Sequence, residues 1–245
     1  MNFSKIPYRS FVGRFLRLPL RLLPKGLAIP IVQGSLRGKR WIVGSSNHGC
    51  WLGSYETGIQ RVFEKWVKPG MTVYDLGAHV GYYTLLASTL VGDGGVVAAF
   101  EPLARNQQLL QRHLRINRCA NVKIFCAAVS DHEGTASLQE GESHYMGHIG
   151  GTGTVSVRTL AIDDLVEQGQ IQPPNFMKID IEGAEFLALQ GATKTIERSK
   201  PNILLSTHGA EVKRLCCEWL QSKGFVLESV TQSDGTDVLA RPRGE

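Results

Sequence analysis

Residues 73–83 read VYDLGAHVGYY, an apolar run that ends in an acid and continues through two spaced glycines into a second apolar run. The pattern predicts a buried strand over 72–76, a tight glycine-rich turn and a helix over 82–90. A turn of this kind brings the backbone close to a ligand and directs helix N–H groups at its polar parts. The segment therefore predicts a nucleotide-binding turn at the edge of an α/β sheet.

Strand and helix patterns alternate from residue 71 to the end of the chain, which implies βαβ units and a mainly parallel sheet. Only a short turn separates the last two predicted strands, 225–230 and 236–240, so at least one of them is antiparallel. Residues 131–160 predict hairpin strands, with the glycine-rich segment 147–153 at a tip. The other predicted strands are 29–33, 40–44, 72–76, 96–100, 122–129, 175–181 and 202–206, and the predicted helices are 56–66, 82–90, 103–117, 184–190 and 211–223.

Two acids at strand ends indicate the kind of cofactor. Asp75 ends the first strand of the alternation, and Glu101 ends the second, twenty residues after Gly81. A carboxylate at the first position would repel a pyrophosphate, and the fingerprint G-x-G-x-x-G is absent, which argues against NAD. An acid at the second position can hold ribose hydroxyls. The pair therefore favours a cofactor with a sulfonium, an ammonium and hydroxyls, namely S-adenosylmethionine (SAM).

A third acidic segment, FMKIDIEGAE at 176–185, lies at the carboxyl edge of the predicted sheet. If the strand continues through them, Asp180 and Glu182 point the same way, one towards the cofactor and the other towards the substrate. Glu185 is interpreted as a first-turn acid that favours the helix dipole. His208 follows the fifth strand and is either a hydroxyl-proton acceptor or a loop histidine without a role. Asp180, Glu182 and His208 are the catalytic candidates.

The other histidines and the five cysteines show no spacing typical of a metal site, so we predict that no metal is bound. The odd cysteine count also argues against a disulfide framework and favours the reducing cytoplasm. No apolar run approaches 18 residues, so no membrane-spanning helix is predicted.

Basic residues are concentrated at the N-terminus. Residues 1–40 contain nine of the 27 basic residues and no acid, which leaves 18 basic and 22 acidic residues for the rest. We therefore divide the chain into a basic N-terminal arm with a lead-in segment, 1–54, and a mildly acidic domain, 55–245, for which we expect no nucleic-acid partner. Residues 10–23 predict a basic amphipathic helix, which either contacts an anionic membrane surface or packs on the domain.

The sequence resembles the FkbM-type methyltransferases, a class I SAM-dependent family, over about residues 55–230. The resemblance implies a Rossmann-like, doubly wound α/β sheet of seven strands, mostly parallel with the last strand antiparallel. It also implies O-methylation of a hydroxyl on a sugar, glycolipid or secondary metabolite. The segments that carry it are VYDLGAHVGYYT (73–84), AFEP (99–102), AAVSDHEG (127–134), MKIDIEGAE (177–185) and ILLSTH (203–208).

The resemblance also implies roles for individual residues. It implies a methionine-binding loop, a ribose contact at Glu101, an adenine contact beside Val129 and Ser130, and Asp180 between cofactor and substrate. We add Glu56, at the start of the predicted helix 56–66, to the cofactor-binding candidates. The candidates in the methionine-binding loop are Asp75, Gly77, Ala78 and Gly81.

His79 departs from the family pattern, which has Asn or Gly at this position. Histidine is one of the non-glycine residues enriched at positive φ, so we expect the loop to keep its shape. Two alternatives stay open at this point: an NAD(P)-linked enzyme on a similar sheet, and a non-catalytic membrane-surface protein with a residual nucleotide pocket.

Overall fold

A seven-stranded sheet forms the centre of the computed structural model, which describes residues 23–140, 147–149, 155–230 and 236–244. The strands in chain order are β1 Ala28–Pro30, β2 Arg40–Ile42, β3 Thr72–Leu76, β4 Val96–Phe100, β5 Val122–Phe125, β6 Ala128–Val129, β7 Gly134–Glu140, β8 Gly147–Ile149, β9 Val155–Leu160, β10 Phe176–Ile179, β11 Asn202–Ser206, β12 Phe225–Ser229 and β13 Asp237–Pro242. The helices are α1 His48–Leu52, α2 Thr57–Trp66, α3 Tyr82–Val91, α4 Ala104–Ile116, α5 Ile162–Glu167, α6 Glu185–Gln190, α7 Thr193–Ser199 and α8 Ala210–Ser222.

The order of strands in the large sheet is β12-β13-β11-β10-β3-β4-β5. Strand β13 is antiparallel to both of its neighbours, and the other pairs are parallel. The chain continues from β3 to β4 on one side and returns later to β10 on the other side. Such a reversal opens a crevice at the carboxyl ends of β3 and β10, where ligands bind in open α/β sheets. The predicted fold class is confirmed.

The central strands are buried on both faces, as parallel strands covered by helices must be. All five residues of β3 and all four of β10 are buried. Alternate residues belong to opposite layers of the core: Phe176 packs with the layer that contains α3, and Met177 packs with the layer that contains α6. The apolar runs of the sequence therefore correspond to strands in the middle of the fold.

The lead-in segment packs against the domain around Trp41. The indole ring stacks on the imidazole of His113 in α4, with 3.8 Å between the ring centroids. His113 Nδ1 donates to the carbonyl of Val80 at 2.7 Å, and its Nε2 accepts from the N–H of Ile42 at 3.1 Å. These contacts join β2, α4 and the loop after β3.

Three predicted strands have the observed bounds, whereas the two longest predicted strands are wrong in extent. The prediction of one strand over 122–129 is wrong, because the chain leaves the large sheet after Phe125 and β6 pairs with β9 in a separate four-stranded sheet. The strand predicted over 175–181 ends at Ile179, because the backbone turns and Glu182 adopts a left-handed conformation with φ of 54°.

The region 131–160 forms antiparallel strands, as predicted. Residues 147–149, expected at a loop tip, instead form β8 and pair with β7, while 150–153 lie outside the described residues. Helices α1, α5 and α7 were not predicted. Most of the predicted amphipathic helix over 10–23 also lies outside the described residues. No helix in the described ranges is long and apolar enough to span a membrane.

Gly77→Ala should destabilise the protein strongly. A Cβ at Gly77 would lie 1.9 Å from the carbonyl oxygen of Asp180, so β3 and β10 could not keep their present spacing. Gly70→Ala is a matched control, since Gly70 has a similar φ, 82° against 86°, and open space around it. We expect the control to lose about 1–2 kcal/mol from left-handed strain and Gly77→Ala to lose about 4 kcal/mol or fail to fold. Chemical denaturation measures both, and equal losses would contradict the steric argument.

Candidate active site

A cavity of about 290 Å³ opens at the carboxyl edge of the sheet, at the reversal of strand order. The volume is near the lower end of the range for small-molecule sites. The wall is formed by the loop after β3, the ends of β4, β6 and β10, and part of the lead-in segment. The residues that line it include Gly77, Ala78, His79, Tyr83, Glu101, Ala127, Val129, Leu138, Lys178, Asp180 and Glu182.

The loop after β3 forms one wall of the cavity by its shape. The N–H groups of Gly77 and Ala78 donate to the carbonyl of Phe100 at 3.0 and 2.9 Å, so they hold the loop against β4 instead of facing a ligand. His79 has φ of 51°, as expected for a histidine in place of Asn or Gly. Burial lowers the pKa of His79 to about 4, so its ring is neutral at physiological pH.

Asp75 lies beneath this loop and is fully buried. Its Oδ2 accepts from the hydroxyl of Thr84 at 2.6 Å, while its Oδ1 accepts no hydrogen bond from the part of the chain that the structure describes. Burial raises the pKa of Asp75, and the charge of Lys178 opposes that effect. Glu56 is also set back from the cavity, where its Oε2 accepts from the hydroxyl of Tyr83 at 2.7 Å.

Glu101 presents a buried carboxylate at the end of β4. Its Oε2 accepts from the N–H of His79 at 2.8 Å, and its Oε1 accepts from the N–H of Leu103 at 3.0 Å and the amide of Asn106 at 3.1 Å. Burial raises the pKa of Glu101 despite these donors. Because a carboxylate has about four lone-pair sites, these three bonds leave it able to accept from a ligand hydroxyl.

Part of the cavity wall is apolar. Ala127, Val129 and Leu138 line it, and the last two come from the small four-stranded sheet. Ser130, expected beside the adenine, is buried, and its hydroxyl donates to Asp131 at 3.1 Å. The structure therefore brings Val129 to the cavity and gives Ser130 an intramolecular partner.

The three catalytic candidates lie close together, and two of them, Asp180 and Glu182, line the cavity. His208 Nε2 lies 3.7 Å from Asp180 Oδ1 and 3.4 Å from Glu182 Oε2. They converge because the turn after β10 brings Glu182 back towards β11, and not because a strand runs through both acids. His208 Nδ1 contacts Glu185 Oε1 at 2.9 Å. Glu185 was interpreted as a helix-dipole acid only, and its contact with His208 is a correction to that interpretation.

Lys178 is a second residue of the site that the motifs did not predict. It is 2% exposed, and its Nζ donates to Asp180 Oδ2 at 2.8 Å and lies 4.9 Å from the centre of the Tyr83 ring. A lysine within the apolar run FMKI is a usable signal, since a buried charge needs a partner nearby. Its partners are the acids at the ends of the same strand and of β3.

A family model described as "Methyltransferase FkbM domain" matches residues 75–229. The match includes the end of β3 and all of β4, β10 and β11, whose carboxyl ends form the site. The chain belongs to the FkbM methyltransferase family.

Several known proteins are similar to parts of this chain. Hexuronic acid methyltransferase AglP from Haloferax volcanii is 26% identical over 129 residues, which cover 51% of this chain and 51% of AglP. Methyltransferase FkbM from Methylobacillus flagellatus KT has a similar structure, with a TM-score of 0.55 at 16% identity over 80% of this chain and 55% of that chain. Cofactor-bound Rv0187 from MTB gives a TM-score of 0.51 at 12% identity, over 78% of this chain and 82% of that chain. The chain spans about half the length of the first two relatives.

The cofactor of this FkbM family is SAM, and the cavity fits it in two respects. The Glu101 carboxylate can accept from ribose hydroxyls, and the wall that contains Val129 offers an apolar surface for an adenine ring. The close approach of Gly77 to Asp180 also brings the cofactor loop next to the catalytic candidates. The residues present are therefore compatible with SAM.

The protonation of Asp180 depends mainly on Lys178, and that of His208 depends mainly on Glu185. Burial alone would raise the pKa of Asp180, but the charge and hydrogen bond of Lys178 lower it. Burial would likewise lower the pKa of Lys178, and Asp180 and Asp75 raise it. The hydrogen bond to Glu185 is the largest influence on His208 and, with Glu182 and Asp180, raises its pKa to about 9 against the opposing effect of burial.

The spacing of the catalytic candidates bears on metal binding. Asp180, Glu182 and His208 each offer one ligand atom, and these atoms lie within 4.8 Å of one another. At neutral pH, however, His208 carries a proton on both nitrogens, and a metal would have to displace the Nε2 proton. The absence of a bound metal therefore stays a prediction, and an activity assay with a chelator tests it.

The stability of the protein should fall as the pH rises from below 6.5 to above about 9. The pKa of His208 is higher in the folded than in the unfolded chain, so its contribution is fully present below pH 6.5 and is lost as the pH passes about 9. Thermal unfolding across this window should show a smaller decrease for His208→Asn than for wild type. His132→Asn is the control, because His132 also contacts a carboxylate but lies in solvent. A decrease of equal size in all three proteins would refute the assignment to His208.

Proposed function

We propose that the protein transfers the methyl group of SAM to a hydroxyl of a sugar, glycolipid or secondary metabolite. The observation that carries the proposal is the meeting of two different groups of residues in one cavity. Gly77, Glu101 and Val129 line the part suited to the cofactor, and Asp180 and Glu182 line the part next to His208. A cofactor site with a proton-accepting cluster beside it is the arrangement that methylation of a hydroxyl needs.

When bound, SAM supplies a methyl group that is already electrophilic, so the protein has to align the acceptor and remove its proton. The loop after β3 would hold the methionine part, and Glu101 would accept from the ribose hydroxyls. Asp180, Glu182 and His208 would orient the acceptor hydroxyl and take its proton.

The support for a sugar acceptor comes from AglP, whose name gives a hexuronic acid as its substrate. A sugar hydroxyl ionises weakly, so it benefits from a nearby base, and several carboxylate oxygens can bind neighbouring hydroxyls at the same time. Asp180 and Glu182 offer such oxygens at the edge of the cavity. The sugar class is therefore the first acceptor class to test.

Two parts of the proposal concern location. A cytoplasmic location and contact of residues 1–40 with an anionic membrane surface stay predictions. The cytoplasmic location rests on the odd cysteine count, which argues against a disulfide framework. The membrane contact rests on the nine basic residues of this arm and on its amphipathic pattern.

Glu101→Ala should weaken SAM binding by about 10- to 100-fold, the effect of losing a charged hydrogen-bonding group. Isothermal titration calorimetry with SAM measures the change. Glu101→Gln should fall between wild type and Glu101→Ala, because the amide keeps one acceptor oxygen. Glu167→Ala removes an exposed acid that contacts Lys194 and should bind SAM as wild type does. An unchanged affinity in Glu101→Ala would contradict the ribose contact.

Methyl transfer to sugars can be followed with SAM labelled in its methyl group. We expect label in hexuronic acids, hexoses or their glycosides as a methyl ether that resists mild base. A base-labile product would identify a methyl ester and contradict transfer to a hydroxyl. Asp180→Asn is expected to reduce the rate by about 100-fold, because Asp180 would orient the acceptor hydroxyl and a small misplacement of a reacting group costs about that much.

The same reaction in EDTA tests the metal prediction. We expect the rate to be unchanged, because protonated His208 has no lone pair to offer a cation at neutral pH. A loss of activity that added Mg²⁺ or Mn²⁺ restores would show that Asp180, Glu182 and His208 bind a metal.

A further inference from the structure

Glu185 lies behind His208, on the side away from Asp180 and Glu182. It is 0% exposed, and its Oε1 accepts from the N–H of Gly183 at 3.0 Å and contacts His208 Nδ1 at 2.9 Å. Its Oε2 accepts no hydrogen bond from the described residues. A buried carboxylate is costly unless it is paired, and among the described contacts His208 is the side chain that can supply a positive charge.

The burial of Glu185 is not explained by the helix dipole. An acid in the first turn can interact with the dipole from the surface. Glu211 occupies such a position in α8, where it is exposed and pairs with Arg214. Glu185 differs from Glu211 because it is buried against a side chain of the candidate site. The position of Glu185 therefore indicates that it acts on His208.

The contact fixes which nitrogen of His208 faces Asp180 and Glu182. An ionised carboxylate only accepts hydrogen bonds, so Nδ1 must donate to Glu185. Nε2 is then the nitrogen directed at Asp180 and Glu182, both of which line the cavity. When the ring is neutral, the proton stays on Nδ1 and the lone pair is on Nε2.

We propose that Glu185 is the positioning residue for His208: it fixes the ring and its tautomer so that Nε2 takes the proton of the acceptor hydroxyl. The inference rests on the proposed function, since it deepens the role of His208 in that reaction. The hydroxyl O–H bond breaks as its oxygen bonds to the methyl carbon, and the C–S bond electrons stay on sulfur. The proton goes to Nε2, so the positive charge lost from the sulfonium appears on the imidazolium beside Glu185.

Asp180 is a poorer proton acceptor than His208. Its Oδ2 is held by Lys178 at 2.8 Å, and this pairing favours the ionised form of the acid. In the part of the chain that the structure describes, the charged groups that contact His208 are Glu185 from α6 and Asp180 and Glu182 from the turn after β10. All three are acids, so each favours a proton on the ring, and Glu185 has the shortest contact, at 2.9 Å. Raising the pH should therefore increase the fraction of His208 that can accept a proton.

The test is a pH titration of the full chain labelled with ¹⁵N-histidine, followed by NMR of the ring nitrogens. In wild type, the neutral ring of His208 should carry its proton on Nδ1. Glu185→Gln should lower the pKa of His208 by about 1–3 units, the size of effect expected when an opposite charge is removed. Glu185→Asp, which keeps the charge, should retain part of the elevation. Glu211→Gln is the matched control and should leave the titration of His208 unchanged.

Three outcomes would overturn the inference. The first is the same pKa for His208 in wild type and Glu185→Gln. The second is an Nε2 proton on the neutral wild-type ring, which can be observed even if the variants do not fold. The third is loss of SAM binding in Glu185→Gln, because a positioning residue for the base should affect methyl transfer and its pH profile and leave SAM affinity unchanged.

A failure of the proposed function can be distinguished from a failure of the role of Glu185. If wild type does not bind SAM by calorimetry, the methyltransferase proposal is wrong, while the tautomer of His208 can still agree with the geometry. If wild type binds SAM and transfers methyl groups, Glu185→Gln should move the rising limb of its pH–rate profile to lower pH by the shift that NMR measures. An unmoved limb would show that His208 is not the base that Glu185 positions.

Discussion

Lys178 introduces a charged side chain into the middle of β10, a strand that is otherwise apolar and buried on both sides. An ammonium in such surroundings is tolerated only with acidic partners close by. Asp180 supplies a direct ion pair at 2.8 Å, and Asp75 lies opposite Lys178 in the register of β3 and β10. This one cation therefore holds the ends of two strands together. The end of β3 leads into the cofactor loop, and the end of β10 leads into the acidic turn.

The central strands could be predicted because buried strands appear in the sequence as short apolar runs. Residues 72–76, 96–100 and 202–206 are apolar runs between turn residues, and their observed bounds match. The break between β5 and β6 could not be predicted, since it depends on pairing with β9 about thirty residues later. The short helices α1, α5 and α7 lack a long periodic pattern, and a single turn or two of helix is stabilised mainly by what it packs against.

The site was predictable at the level of which strand ends contribute to it, because parallel strands bring their carboxyl ends to one edge. The contacts between side chains were harder to predict. Asp180 and Glu182 do lie together, but through a left-handed turn that the alternating pattern did not indicate. Glu185 has an ordinary position for a helix N-terminus, and its partner is 23 residues away in His208. Its burial could be known only from the tertiary structure.

The left-handed backbone at Glu182 restricts how this end of the cavity can vary during evolution. Few side chains tolerate positive φ, and β-branched residues tolerate it least. A lineage that acquires a new acceptor can replace Glu182 readily by Gly, Asn or Asp, which differ in charge and reach but keep the turn. An apolar branched residue would alter the backbone together with the pocket. Drift in acceptor preference at this position is therefore confined to a small, polar set of residues.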